Sequence, residues 1–192
     1  MPTPNQSALD FLLSRRSRPA KTLTGPAPSR ADLLPLLTAA ARTPDHGKLE
    51  PWRFIVLEKP ALTRLSHLVA ELAQGRDLDD AQVAKSINQY GTADLAIAVI
   101  FSPKASEKVP EIEQLYSAGA ACLALLNAAL AAGWGANWLS GWASHDPTFR
   151  TQGLGLADHE SIAGFIHIGT EKSAPPERPR PDLNAITTWV TD

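Results

Sequence analysis

One cysteine, Cys122, stands in 192 residues, so no intramolecular disulfide can staple this chain. It falls in the apolar run Ala118–Leu130 and reads as a small buried helix residue, not as a reactive thiol. Neither sign of charge is in excess: 18 Lys and Arg face 20 Asp and Glu, for a net charge of -2. That balance gives no global field for nucleic acid or an anionic membrane, and any anion site must be a local cluster. Residues 1–10 lack the basic start and apolar stretch of a secretory signal, and no continuous apolar run reaches the roughly 18 residues of a membrane span. The expectation is a reduced, cytoplasmic protein with no nucleic-acid or membrane partner. No GxGxxG opens a helix, and Gly133-Trp134-Gly135 follows a helical segment where a dinucleotide fold would need a strand. What remains, with 44% hydrophobic and 20% charged residues, is a globular chain of the size of one domain, 1–192.

Periodicity divides the chain into mixed elements. Ala8, Leu9, Phe11, Leu12 and Leu13 form a helical stripe, and Ser29 is placed to cap a helix running to about Arg42. Pro35 should kink that helix or shift its start. Trp52–Glu58 reads as a strand, Ala61–Ala73 as a helix and Leu78–Tyr90 as a weaker one. Ala93–Phe101 is apolar throughout and fits a strand buried on both faces. Glu111–Ala132, apolar almost all round from Ser117, fits a central helix stopped by Gly133. Ala136–Trp142 and Ser161–Gly169 are further strands, and Ala185–Val190 would be a last one after the stiff segment Pro175–Pro181. Strands and helices do not alternate strictly, which predicts an α+β layer with helices around a modest sheet.

Two segments carry chemistry. Arg15-Arg16-Ser17 ends the first helix with two planar guanidinium forks and a hydroxyl, a donor set that suits a phosphate monoester. Pro44-Asp45-His46-Gly47 is turn-forming and should present side chains on a loop, with Pro51-Trp52-Arg53-Phe54 starting the strand beyond it. Arg42 lies one turn before His46.

Together these segments resemble the nitroreductase family of FMN-dependent oxidoreductases, in its compact branch. Family members commonly carry Pro-Ser-Ser-x-Asn-x-Gln-Pro-Trp in a loop lining the flavin, where this chain has His46 for the second Ser, Lys48 for Asn and Glu50 for Gln. Gly133–Trp142 is similar to the family turn after the central helix, with Trp138 for its Pro, Ser140 for its Glu, and Gly141 retained. Gly164–Thr170 matches a strand after which basic residues, here Arg178 or Arg180, reach the phosphate. Pro19 stands where many relatives have Lys or Arg, a charge that Arg42 is placed to supply.

The resemblance implies a sandwich with a central mixed, mainly antiparallel sheet flanked by helices, and an intertwined homodimer with residues 174–192 as an arm crossing to the partner. It also implies ping-pong transfer of hydride from NAD(P)H through FMN to a small-molecule acceptor such as a nitroaromatic or quinone. Arg15, Arg16 and Ser17 would take the phosphate end, Arg42 and His46 the ring or its polar edge, and Trp138, Leu139, Ser140 and Gly141 the ring face. No side-chain acid or base and no metal is required. Other flavin chemistry on this fold, such as a dehydrogenase or a flavin-fragmenting enzyme, and a non-catalytic flavin sensor are the alternatives.

Overall fold

A computed structural model describes residues 3–192. In chain order the elements are α1 (Gln6–Ser14), β1 (Leu23–Thr24), α2 (Arg30–Ala40), β2 (Trp52–Glu58), α3 (Lys59–Ala73), α4 (Asp80–Gly91), β3 (Leu95–Phe101), α5 (Glu111–Ala131), β4 (Gly135–Leu139), α6 (Trp142–His145), β5 (Ser161–Glu171) and α7 (Leu183–Ile186). Local chemistry sets many of these limits. Ser29 and Asp32 form a reciprocal capping box at α2, and Asp79 and Gln82 form another at α4. Gly133, at φ 85°, lets α5 end in a Schellman turn: its N–H donates to Leu130 O at 3.1 Å and that of Trp134 to Ala129 O at 3.0 Å.

β5 is the hub of the sheet. It pairs with β3 over Ser161–His167, with β4 over Phe165–Gly169 and with β1 at Thr170–Glu171, while β2 lies outside β3. Every ladder is antiparallel, so the sheet is not mixed. Helices cover both faces. Leu95, Ile97 and Val99 of β3 join the core made with α2 and α5; Ala96, Ala98 and Ile100 join the core made with α3 and α4. On the second face the small alanines share the layer with Tyr90, Phe149 and Phe165, whose ring centroids lie 5.4–6.3 Å apart.

Two further expectations, at α2 and in the tail, need correction. α2 runs unbroken from Arg30 to Ala40 with Pro35 inside it. α5 holds no uninterrupted apolar run of 18 residues, yet by overall length and composition it is apolar enough to cross a membrane. Its Ala118, Ala121, Cys122, Leu125, Leu126 and Ala129 are nevertheless buried in the core. Ala185–Val190 forms no strand: α7 is a single helical turn, and everything after it is irregular and exposed. A strand needs an edge to pair with, and within its own chain this segment reaches none.

Candidate functional site

Arg15 caps the C-terminus of α1, its N–H donating to Phe11 O at 2.8 Å. The next residues are tied to the hub. Arg18 N–H donates to Ala136 O at 2.8 Å, Asn137 Nδ2 donates to Arg18 O at 2.8 Å, and Arg18 Nε meets Glu171 Oε2 at 3.1 Å. The triplet therefore sits beside β4. Arg15 Nη2 donates to Ser17 Oγ at 2.8 Å and Arg16 Nη1 to Ser17 O at 3.2 Å. A third guanidinium arrives from the tail: Arg180 Nη2 donates to Arg15 O at 3.4 Å and to Glu177 Oε1 at 2.9 Å. Burial, then the like charges of Arg180 and Arg16, holds the Arg15 pKa below its ordinary value. The Nε groups of both Arg15 and Arg16 are buried without a hydrogen-bond partner. Buried donors and mutually repelling cations left in this state suit a polyvalent anion. Arg178 makes only a local backbone contact to Glu177, so of the two tail arginines it is Arg180 that joins the triplet.

β4 leads from this cradle to the Trp138–Gly141 turn. Trp138, 37% exposed, lays its indole over Gly164 of β5 so closely that a Cβ there would overlap it. Leu139 is half-buried, and Ser140 and Gly141 are exposed. The far side of the turn is anchored. Trp142 Nε1 donates to Ser86 Oγ at 2.9 Å, and the Arg76 guanidinium lies 4.4 Å over the Trp142 ring while pairing with Asp146. Sequence gives no sign of this support, because Arg76, Ser86 and Trp142 meet only through the tertiary fold.

The His46 loop is separately built. Ser117 Oγ of α5 donates to Pro44 O at 2.9 Å and accepts from Trp52 Nε1 at 3.0 Å, and Asp45 Oδ2 accepts from Glu50 N–H at 2.9 Å. His46 Nδ1 lies 2.8 Å from Glu113 Oε2. Gly47, Lys48 and Glu50 adopt φ of 75°, 56° and 48°, and the two with side chains carry strain of roughly 1–3 kcal/mol each. Arg42 is exposed just past α2, and no hydrogen bond or ion pair of its side chain occurs among the described residues.

Within one chain these parts divide into two groups. Arg15–Ser17 and the Trp138–Gly141 turn share β4. The His46 loop leads into Trp52, which pairs with Phe101, which pairs with Ser161 at the start of β5. The cradle lies by Ala136, whose partner is Ile168. Those β5 positions are more than about 20 Å apart at roughly 3.4 Å per residue.

The architecture is an antiparallel α+β sandwich with a cationic cradle towards one end of its hub strand and a strained loop at the other. The family model described as "Nitroreductase family" matches residues 12–170. The chain is 37% identical over 163 residues to "Putative NAD(P)H nitroreductase YdjA" of Escherichia coli, covering 85% of this chain and 87% of that protein. Its fold is similar to the nitroreductase-like family protein from Bacillus cereus, with a TM-score of 0.79 and 23% identity over 99% of each chain. It is also similar to the nitroreductase with bound FMN from Bacteroides fragilis, with a TM-score of 0.74 and 20% identity over 97% of this chain and 100% of that one. The chain belongs to the nitroreductase family.

Proposed function

We propose that this protein is an FMN-dependent NAD(P)H oxidoreductase that reduces small-molecule acceptors of the nitroaromatic or quinone type. The cradle carries the reading. Arg15 and Arg16 both donate to Ser17, their Nε groups buried and unpartnered, Arg180 joins them through Arg15 O, and β4 leads from them to an exposed aromatic turn. That sequence of groups fits a flavin mononucleotide, phosphate at the arginines and ring towards Trp138–Gly141. A homologue 37% identical bears the name of an NAD(P)H nitroreductase, which agrees with this assignment.

FMN, when bound, supplies a ring that accepts a hydride and yields its electrons to a second substrate. The protein's own part is binding and tuning. Arg15, Arg16 and Arg180 would neutralise the phosphate, and Ser17 would orient it. Gly141 leaves the backbone of the turn open to close approach, and the Trp138 indole shapes the ring face.

We also propose that the chain acts as one domain in a homodimer. Ile112, Leu115, Tyr116 and Leu123 leave an exposed apolar strip on α5, and Leu183, Ile186, Trp189 and Val190 are uncovered in the arm 174–192. A second copy laid along that strip would bring its His46 loop to this chain's cradle and so join the two separated groups. A cytoplasmic setting accords with Cys122, a buried free thiol whose pKa burial pushes up to about 12. The purified protein should be yellow and release FMN on denaturation. Release of FAD, or a colourless protein that does not bind added FMN, would sink the proposal.

A further inference from the structure

We propose that Glu113 is a positioning residue for His46, turning its imidazole so that Nε2 is presented to the flavin held between two copies. This rests on the FMN reading above and adds to it a residue from α5, 67 positions along the chain from His46.

The His46 and Glu113 side chains are 59% and 46% exposed, yet their atoms meet at 2.8 Å. So exposed a pair adds little to folding stability, and the fold has no need of it. The loop that offers His46 is, by contrast, over-determined. Asp45 ties it to Glu50, Ser117 ties it to α5, and Lys48 and Glu50 are held in the left-handed region. Backbone strain held by so many contacts is a mark of a functional segment.

The groove at this loop is lined by Pro44, Asp45, His46, Tyr116 and Ala120 as well as Glu113. With Nδ1 committed to the carboxylate, Nε2 is the ring atom left to meet a ligand. In the imidazolium, Nε2–H is a charged donor, and Glu113 balances the charge from behind. A donor fixed in that way favours a flavin that has gained electrons over one that has not. Glu113 thus makes His46 a selective contact for the reduced cofactor.

The test measures FMN affinity and flavin midpoint potential in wild type, Glu113→Ala, His46→Ala, the double variant and Glu113→Gln. Glu113→Ala should lower the ratio of reduced to oxidised FMN affinity about tenfold, equivalent to about 30 mV for a two-electron couple. His46→Ala should do the same, and the double variant should fall no further than either single change. Glu113→Gln retains an oxygen acceptor for Nδ1–H but not the balancing charge, so it should restore FMN affinity while recovering only part of the ratio, and a variant no better than Glu113→Ala in both would overturn the positioning role. An unchanged potential in Glu113→Ala, or effects of the two alanines that add, would overturn the positioning role. If the wild type binds no FMN, the functional reading fails first. If it binds FMN and Arg15→Ala weakens that binding while Glu113→Ala leaves the potential alone, only the present inference fails.

Discussion

Guanidiniums repel one another, and a fold that gathers three of them along the short segment Arg15–Ser17 needs a reason outside packing. At Arg15 the cost is visible in its lowered pKa and in the buried Nε that finds no acceptor. Arg15→Ala should therefore weaken FMN binding by roughly 1.5–3 kcal/mol, the range for a charge-assisted contact. Thermal stability without FMN should hardly change, since the replaced cation has no carboxylate partner. Intact flavin affinity with a destabilised apo-protein would show that Arg15 is structural. His167 makes the opposite case, a titratable group that the proposed chemistry leaves unused. It lies on β5 between Ala96 and Asn137, 1% exposed, with neither ring nitrogen hydrogen-bonded, and burial pushes its pKa down to about 4. The unfolded ring takes up its proton near 6.5, so between those values the unfolded chain binds more protons than the folded one. Stability is thus fully present above about pH 6.5 and declines as the pH falls towards 4, by about 3 kcal/mol at roughly 1.4 kcal/mol per pH unit. Denaturant midpoints at pH 7, 5.5 and 4 should show this loss, and His167→Leu should flatten it.

Among the elements, legibility followed the range of the determining interactions. Trp52–Glu58 is the strand its alternation predicts, and the capping of α2 by Ser29 and the stop of α5 at Gly133 are local events that a sequence displays. The Arg15-Arg16-Ser17 cluster was visible as a donor set for the same reason: it is contiguous. Sequence left Arg178 and Arg180 as alternatives and gave no sign of Glu113 or the Arg76–Trp142 support, because each of these contacts spans 56 to 165 positions and forms only once the chain has folded. The Arg53–Glu160 pair belongs with them. Arg53 Nε and Nη2 donate to the Glu160 carboxylate at 2.7 and 2.6 Å, tying β2 to the residue before β5. Those bonds, with help from Ala157 N–H, hold the Glu160 pKa down to about 2. Their stabilisation is present above about pH 4.5 and is lost as the pH falls towards 2. The acid limb of unfolding should therefore have two parts, and Glu160→Gln should remove the lower one while leaving the His167 part in place. At the junction of β4 and β5, Gly164→Ala sets a methyl against the Trp138 indole. The indole must then lift from the sheet, and FMN bound by this variant should show an altered visible spectrum and weaker affinity. A spectrum and affinity like those of wild type would mean that the ring does not rest against Trp138.

For the molecule as a whole, the unsolved surface is the tail. Leu183 and Ile186 are 70% and 66% exposed, and Trp189 and Val190 are 86% and 76% exposed, in a segment the sequence marks for a strand. Apolar side chains this open, following the proline-rich spacer 175–181, are matched to a surface that one chain does not provide. On the proposed homodimer a second copy would offer such a surface, since β2 is an outer strand of the sheet and Leu34 and Val56 lie exposed beside it along a groove also lined by Leu33 and Leu37. The segment would gain in such a dimer the edge that it lacks in the single chain, turning a helical turn and irregular backbone into paired strand. Deleting residues 182–192 tests this without disturbing the cradle, because Arg180 and Glu177 are retained. The truncated protein should sediment with a larger share of monomer and carry less FMN, with both losses shrinking together as protein concentration is raised. That coupling is the decisive feature, since a cradle intact in each monomer can lose cofactor through dissociation only if the partner's His46 loop completes the site. A truncated protein that remains a fully yellow dimer would refute the arm, and a monomer that keeps its FMN would refute the shared site.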